Sequence, residues 1–158
     1  VATLDAVLIH SSGADQAILE QEAVLPTLRD LQKAGLVRAV GMSTKTAAGG
    51  LRAVECCDLV MATYNLRQRE ELPVIRAAHA AGKGVLIKKG LLSGYLSDLT
   101  EVDPVHAALQ LLYAEPGVSS IVIGTLNPNH LQANVAAAES VLDERCSTPM
   151  QLPTTTTD

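Results

Sequence analysis

Five short apolar runs alternate along this chain with longer segments in which apolar residues recur every three or four positions. Such short runs predict buried strands, whereas a 3.6-residue spacing predicts amphipathic helices. The predicted strands are Leu4–His10, Val37–Met42, Asp58–Thr63, Val85–Ile87 and Ser119–Thr125. The predicted helices are one around Leu25–Leu31 that Gly35 ends, then Thr46–Cys56, Leu72–Ala81, Val105–Tyr113 and about Pro128–Leu142. Right-handed crossovers between such strands make the sheet parallel, so the fold class is α/β.

Polar residues stand where the predicted strands end, namely at His10, Ser43, Asn65, Lys88 and Thr125. Parallel α/β folds place their sites at this rim, although Ser43 and the neighbouring Thr44 could equally cap the next helix. The residues alone leave two folds open: a complete five-stranded doubly wound sheet, or the last five units of an eight-stranded barrel. The first strand is not followed by G-x-G-x-x-G, which counts against a dinucleotide-binding Rossmann unit.

Composition narrows the class of partner. Hydrophobic residues make up 47% of the chain without any Phe or Trp, so the core is expected to consist of Leu, Val, Ile and Ala, as helices packed on a parallel sheet require. The net charge of -5, with no basic run or aromatic platform, argues against nucleic acid or an anionic membrane as partner. No apolar run approaches the roughly 20 residues of a membrane span.

Three cysteines, Cys56, Cys57 and Cys146, have no metal-ligand spacing, and their odd number favours a reducing, cytoplasmic location. The chain enters its first predicted strand almost at once after Val1, which favours a piece of a longer protein. Residues 1–145 are expected to form a single incomplete domain. Residues 146–158, with four consecutive threonines, are predicted to be a disordered tail, and no pattern indicates an oligomeric state.

Several motifs in order carry a resemblance: the strand ending in His10, the segment GLVRAVGMST at 35–44, Tyr64-Asn65, LLSG at 91–94, and Ile123-Gly124-Thr125 followed by Asn134. Together they resemble the C-terminal part of an aldo-keto reductase. The resemblance implies a partial TIM (β/α)8 barrel in which this chain supplies strands four to eight. It also implies NADP(H) as cofactor, with NAD(H) as the alternative, and reduction of a small-molecule carbonyl substrate, an aldehyde or ketone, by hydride transfer.

The same resemblance assigns roles at one end of the cofactor. His10 matches the catalytic histidine that polarises the substrate carbonyl, and Ser43 matches a residue that hydrogen-bonds the nicotinamide carboxamide. Thr44 stands where the family usually has Asn, and Met61 stands where it has a carboxamide-binding Gln. Lys88 replaces an aromatic ring that stacks on the nicotinamide, so Lys88 or its neighbour Lys89 is expected to meet the pyrophosphate instead.

The other end of the cofactor falls on the last unit. Asn134 matches an adenine-contacting Asn, while His130 replaces an arginine that often clamps the 2'-phosphate, and Ala133 replaces a glutamate. An ordinary helix start is the alternative interpretation of Pro128–Asn134. The remaining candidate cofactor-binding residues are Leu91, Ser93, Gly124, Thr125 and Asn127.

In the family, the proton donor is a tyrosine that acts beside a lysine and an aspartate, and the resemblance places all three in the missing strands. Tyr64, Tyr95 and Tyr113 do not match that tyrosine. The chain by itself is therefore expected to be inactive, although its parent would be an oxidoreductase. Two other hypotheses stay open at this point: a non-enzymatic, reductase-like adaptor, and a complete small doubly wound binding domain.

Overall fold

The computed structural model describes residues 3–21, 23–98 and 102–147. Within them, five parallel strands form one sheet in the order β1-β2-β3-β4-β5. The strands are β1 Leu4–His10, β2 Val37–Ser43, β3 Leu59–Thr63, β4 Gly84–Lys88 and β5 Ser120–Ile121. A doubly wound sheet would reverse its order around a central strand, so this strictly sequential order is that of consecutive barrel units. The open doubly wound alternative is wrong.

The helices alternate with the strands as predicted. They are α1 Asp15–Glu20, α2 Val24–Lys33, α3 Ala47–Cys56, α4 Leu72–Ala80, α5 Pro104–Ala114 and α6 Pro128–Ser147. The sequence pattern misses α1, because six residues are too few for a helical period to stand out. Helix α6 runs five residues beyond the predicted Leu142, and positions 148–158 of the predicted tail lie outside the described residues.

The two loops near the end of the sheet differ from the prediction. The first residues of the predicted loop from Tyr95 to Pro104 belong to a kinked 3-10 segment over Leu92–Asp98. Residues 99–101 of that loop lie outside the described residues. Strand β5 is shorter than the predicted Ser119–Thr125, because after Val122 donates its N–H to Ile87 O at 2.8 Å the chain leaves the sheet. The backbone of Ile123–Thr125 is thereby released from strand pairing.

The core lies between the helices and one face of the sheet. The strands contribute alternate residues, among them Met42, Val60 and Ile87, each with no exposed surface. The helices contribute small and branched side chains such as Ala53 and Ile75. Side chains alternate across a strand, so the intervening residues of each strand project from the opposite face, which bears the polar ends of the strands.

A polar cluster ties the elements together at the other end of β2. The carboxylate of Asp58 accepts hydrogen bonds from Val40 N at 2.9 Å, from Arg29 Nη1 at 2.7 Å and from Gln32 Nε2 at 2.9 Å. These hydrogen bonds lower the pKa of Asp58 below its ordinary value, although partial burial acts in the opposite direction. The cluster fastens α2 to the sheet, far from the carboxyl ends of the strands.

At the rim formed by those carboxyl ends, α3 packs closely on the start of α1. Gly49, in the first turn of α3, lies so near that a Cβ at this position would stand 2.1 Å from Cβ of Asp15. Because Asp15 is buried and holds the loop before α3, this close approach fixes the distance between the two helices. A glycine is required here by contact with a neighbour and not by backbone conformation.

We expect Gly49→Ala to lower the free energy of unfolding by about 1–3 kcal/mol, since overpacking outweighs the gain in helix propensity. Urea denaturation followed by circular dichroism measures this change. Gly124→Ala is the matched control, because a Cβ there meets no atom within 4 Å. Equal urea midpoints for the two variants would contradict the close packing of α3 on α1.

Candidate active site

Three candidate residues stand side by side at the carboxyl ends of neighbouring strands. His10 of β1 is the register partner of Ser43 in β2, and Ser43 is the partner of Met61 in β3. Register partners project to the same side of a sheet, so the imidazole, hydroxyl and thioether form one row. His10 is exposed, Met61 is half-buried and Ser43 is buried. The row joins three residues that lie far apart in sequence.

Lys88, at the end of β4, reaches across β3 to this row. Its Nζ donates to Ser43 Oγ at 3.0 Å and also to the carbonyl oxygen of Thr44. Both partners accept hydrogen bonds, and the Lys88 amine donates to them. The stem of Lys88 runs along the face of the sheet opposite the helices. The contact adds a cation to a row that otherwise carries no formal charge when His10 is neutral.

A buried carboxylate lies behind the row. Glu71, just before α4, is 5% exposed and accepts from Thr44 Oγ1 at 3.1 Å and from the N–H of Thr63. Burial raises the pKa of Glu71 above its ordinary value, against the two hydrogen bonds and the charge of Lys88, which act to lower it. Burial also shifts the pKa of Lys88, in this case below its ordinary value, and the negative charge of Glu71 opposes that shift. Glu71 and Lys88 are thus mutual counter-charges at the edge of the core.

The contacts of Thr44 separate it from Ser43. Thr44 is fully buried and its hydroxyl donates to Glu71, whereas Ser43 lies against the ammonium of Lys88. Neither residue caps the next helix, because Thr46 does so by accepting from Gly49 N at 3.0 Å. The capping interpretation of Ser43 and Thr44 is therefore wrong.

Asp15 holds the loop between β2 and α3. Its carboxylate accepts from Thr46 N at 2.8 Å, from Thr46 Oγ1 at 2.7 Å and from Lys45 N. Burial tends to raise the pKa of Asp15, but hydrogen bonds from Ser11, Thr46 and Lys45 outweigh it and lower the pKa below its ordinary value. Since Ser11 follows His10 directly, Asp15 joins the loop after β1 to the loop after Ser43.

Seven of the eight remaining candidate cofactor residues line a cavity of about 660 Å³ between the loop after β4 and the start of α6. The candidates that line it are Lys89, Leu91, Ser93, Gly124, Thr125, His130 and Asn134. Lys89 and Ser93 have positive φ values of 56° and 55°, as does Leu92 at 51°, a conformation that is costly for residues other than glycine. Such strain in the wall of a cavity is typical of a functional loop.

Asn127 lies at the start of α6 and does not line the cavity. Its Oδ1 accepts from Asn129 N at 3.0 Å, and its own N–H donates to Thr125 Oγ1 at 3.2 Å. Asn127 thus contacts the first turn of α6, while His130 and Asn134, one and two turns further on, line the cavity. Asn65 is also structural here, because its buried amide bonds to Gln68 and to Lys89 O.

The structure thus brings the predicted residues together in two groups. His10, Ser43, Met61 and Lys88 form the rim row, whereas seven candidates from the loop after β4, the segment after β5 and helix α6 line the cavity; Thr44 and Asn127 belong to neither group. Sequence reasoning missed Asp15 and Glu71, the two buried carboxylates behind the rim. Glu71 directly follows Glu70 before a helix, and no local pattern distinguishes the buried residue from the exposed one.

The chain is similar to solved aldo-keto reductases. Two structures of one from Pseudomonas aeruginosa share 46% and 47% identity with it, each at a TM-score of 0.80, and the match covers 89% of this chain and 53% of that chain. The holo form of an aldo-keto reductase from Bacillus halodurans matches at a TM-score of 0.72 and 19% identity, over 87% of this chain and 56% of that one, and supports the fold alone. No protein family model and no curated protein matches the chain.

This chain belongs to the aldo-keto reductase family. It spans about half the length of the Pseudomonas structures that it matches. The five parallel strand-helix units match part of an aldo-keto reductase barrel. Their sheet is not closed within the described residues. The resemblance inferred from the motifs is confirmed, as is the fold class.

Over residues 3–21, 23–98 and 102–147, no group of three or more metal-ligating side chains is arranged to hold a metal ion. Over the same residues, every helix is too short or too polar to cross a bilayer.

Asp15→Asn is expected to lower the free energy of unfolding of the chain at neutral pH by about 1.5–3 kcal/mol, because hydrogen bonds to a charged acceptor are lost. The folded-state pKa of Asp15 lies below its ordinary value of 3.8, so its stabilisation is complete above that pH and declines as the pH falls through the folded-state pKa. The difference between wild type and variant should therefore narrow below about pH 4 in urea titrations. Asp30→Asn, on the exposed side of α2, is the control, and a pH-independent difference for Asp15→Asn would refute the role of its charge.

Proposed function

We propose that this chain is the cofactor-binding part of an oxidoreductase that reduces aldehydes or ketones with NADP(H). The observation that carries the proposal is the coincidence of the cavity with the family's cofactor residues. Seven of the thirteen candidate residues line one cavity, and four more form the adjoining rim row. The loop after β4, the segment after β5 and helix α6 all contribute candidate residues to this cavity.

The cavity fits the phosphate and adenosine end of a dinucleotide in size and chemistry. Its volume of about 660 Å³ falls within the ordinary range of cofactor sites. Gly124 offers a backbone without a side chain in its way, Thr125 a hydroxyl, and Lys89 a cation for the phosphates. The amide of Asn134, which is half-buried, can donate to and accept from a purine edge.

The choice between the two nucleotides rests on His130 and Ala133. A 2'-phosphate is best held by the charged fork of an arginine, whereas His130 offers one neutral donor and Ala133 offers none. Lys89, in the same cavity, is the cation that could compensate. We propose NADP(H) as the cofactor, with NAD(H) bound more weakly by the same residues.

The rim row supplies the reacting end. A nicotinamide, when bound, would supply the hydride, and the residues of this chain would orient the carbonyl and stabilise the charge that develops on its oxygen. His10 is exposed at the rim and is the candidate that polarises this oxygen. Ser43, next to it in register, is the candidate that holds the carboxamide, and Met61 flanks it without a donor for that purpose.

Among the described residues, no tyrosine lies in the rim row. Tyr64 is 2% exposed and packs in the core, and Tyr95 lies in the loop after β4 with 66% of its surface exposed. Tyr113 is half-buried on α5, behind the sheet. Because none of the chain's three tyrosines belongs to the rim row, we propose that the proton donor comes from outside these 158 residues.

NADPH is expected to bind the purified chain saturably, and Thr125→Ala should weaken binding about tenfold by removing a hydroxyl from the cavity wall. Nucleotide fluorescence, followed during titration with NADPH and separately with NADH, measures both affinities. Thr27→Ala is the matched control, since Thr27 is an exposed residue of α2 on the far side of the sheet. A chain that melts cooperatively yet binds neither nucleotide would overturn the proposal in favour of a binding or adaptor role.

The chain alone is expected not to oxidise NADPH in the presence of an aldehyde, because it lacks the proton donor. Absorbance at the NADPH band, followed with a saturating small aldehyde, tests this expectation. Turnover by the wild-type chain that disappears in His10→Ala would contradict it, and would show that the described residues form a complete active site.

A further inference from the structure

Lys88 is a charged side chain that hydrogen-bonds the hydroxyl of Ser43. Its Nζ lies 3.0 Å from Ser43 Oγ. An atom that accepts a hydrogen bond from the Ser43 hydroxyl lies about 2.8 Å from that oxygen, so it stands at most about 6 Å from the ammonium. Any ligand anchored at Ser43 is therefore held within direct electrostatic reach of Lys88.

The position of this cation is fixed from two sides. Ser43 Oγ and Thr44 O both accept from Nζ, and Thr44 in turn donates its hydroxyl to Glu71. The half-buried stem of Lys88 leaves the side chain little freedom to swing toward the cavity that contains Lys89. The two neighbouring lysines thus face different parts of the site, Lys88 the rim row and Lys89 the cavity.

The surroundings leave this positive charge only partly compensated. The charged groups that influence Lys88 most are the carboxylates of Glu71 and Asp15 and the ammonium groups of Lys89 and Lys45. Glu71 bonds to Thr44 and Thr63, on the buried side of the row, and Asp15 bonds to the loop before α3. Both carboxylates lie behind the rim, so the side of Ser43 that a ligand would approach faces the cation.

We propose that Lys88 makes this site discriminate between the two redox states of the nicotinamide, favouring the neutral reduced ring over the cationic oxidised ring. The inference rests on the proposed function, in which Ser43 holds the carboxamide. The oxidised ring carries one positive charge close to that carboxamide, and the reduced ring carries none. Two like charges at such separations weaken binding by about tenfold or more at the effective dielectric of a partly buried site. Lys88 is therefore a specificity-determining residue that promotes release of the oxidised product.

The test compares the dissociation constants of NADPH and NADP⁺, the second measured by displacement of fluorescent NADPH. In the wild-type chain, NADP⁺ should bind at least about tenfold more weakly than NADPH. Lys88→Met removes the charge and keeps much of the apolar stem, so it should bring the two constants within about threefold, chiefly by tighter binding of NADP⁺. Lys88→Arg keeps the charge and should keep the ratio, and Lys33→Met, at an exposed position on α2, should change neither constant.

The other outcomes separate this inference from the proposed function. If Lys88→Met binds NADPH and leaves the ratio of the NADP⁺ and NADPH dissociation constants unchanged, the inference is wrong and the proposed cofactor site stands. If it weakens both nucleotides equally, Lys88 is an anchor for the pyrophosphate and again the inference is wrong. If Lys88→Met fails to fold, the same two dissociation constants are measured for Lys88→Gln, which also removes the charge. Equal dissociation constants for NADPH and NADP⁺ in the wild-type chain overturn the inference. Binding of neither nucleotide to the folded wild-type chain overturns both.

Discussion

In-register parallel pairing of β1 with β2 and of β2 with β3 is the constraint on which the rest of this structure depends. Parallel strands that start together also end together, so the last residue of each strand meets its neighbours at one rim. His10, Ser43 and Met61 become adjacent for this reason alone. A slip of one residue in either pairing would turn these side chains to the helical side of the sheet and dismantle the row.

Buried carboxylates secure the loops that leave this rim. Asp15 binds the backbone and hydroxyl ahead of α3, and Glu71 binds Thr63 and Thr44 where β3 and β2 end. A buried charge is tolerated only with several donors or a counter-charge, and both residues have them. Their pKa values move in opposite directions, because hydrogen bonds dominate at Asp15 and burial dominates at Glu71. The loops of the site are thus held by polar contacts, while the core itself is apolar.

One side of the sheet is packed and the other is open within this chain. The helical side buries Val40, Val60 and Val85 completely, whereas Leu4, at the start of β1, is 57% exposed. On α6, Leu131 and Val135 are 49% and 48% exposed. Strand β1 pairs with β2 alone in the described residues, and a sheet edge of this kind leaves backbone donors and acceptors unpaired. These features agree with a chain that spans about half the length of the solved reductases to which it is similar.

Local sequence determined much of the fold and part of the site. Alternation of apolar runs with amphipathic segments was enough to predict the strands, most of the helices and the α/β class, because secondary-structure periods are written in neighbouring residues. The order of the motifs along the chain was enough to indicate the family. The resemblance also indicated the seven candidate residues that line the cavity in the structure. The sequence also indicated that polar residues end the strands.

Only the tertiary structure decided how those residues are used. Strand order distinguished the barrel from the doubly wound sheet, since pairing joins residues that are tens of positions apart. Long-range contacts separated Ser43 from Thr44 and Lys88 from Lys89, two pairs that neighbour each other in sequence but face different surroundings. The roles of Asp15 and Glu71 were hidden for the same reason: burial and hydrogen-bond partners of a carboxylate depend on which distant loops pack against it, and no local pattern encodes that.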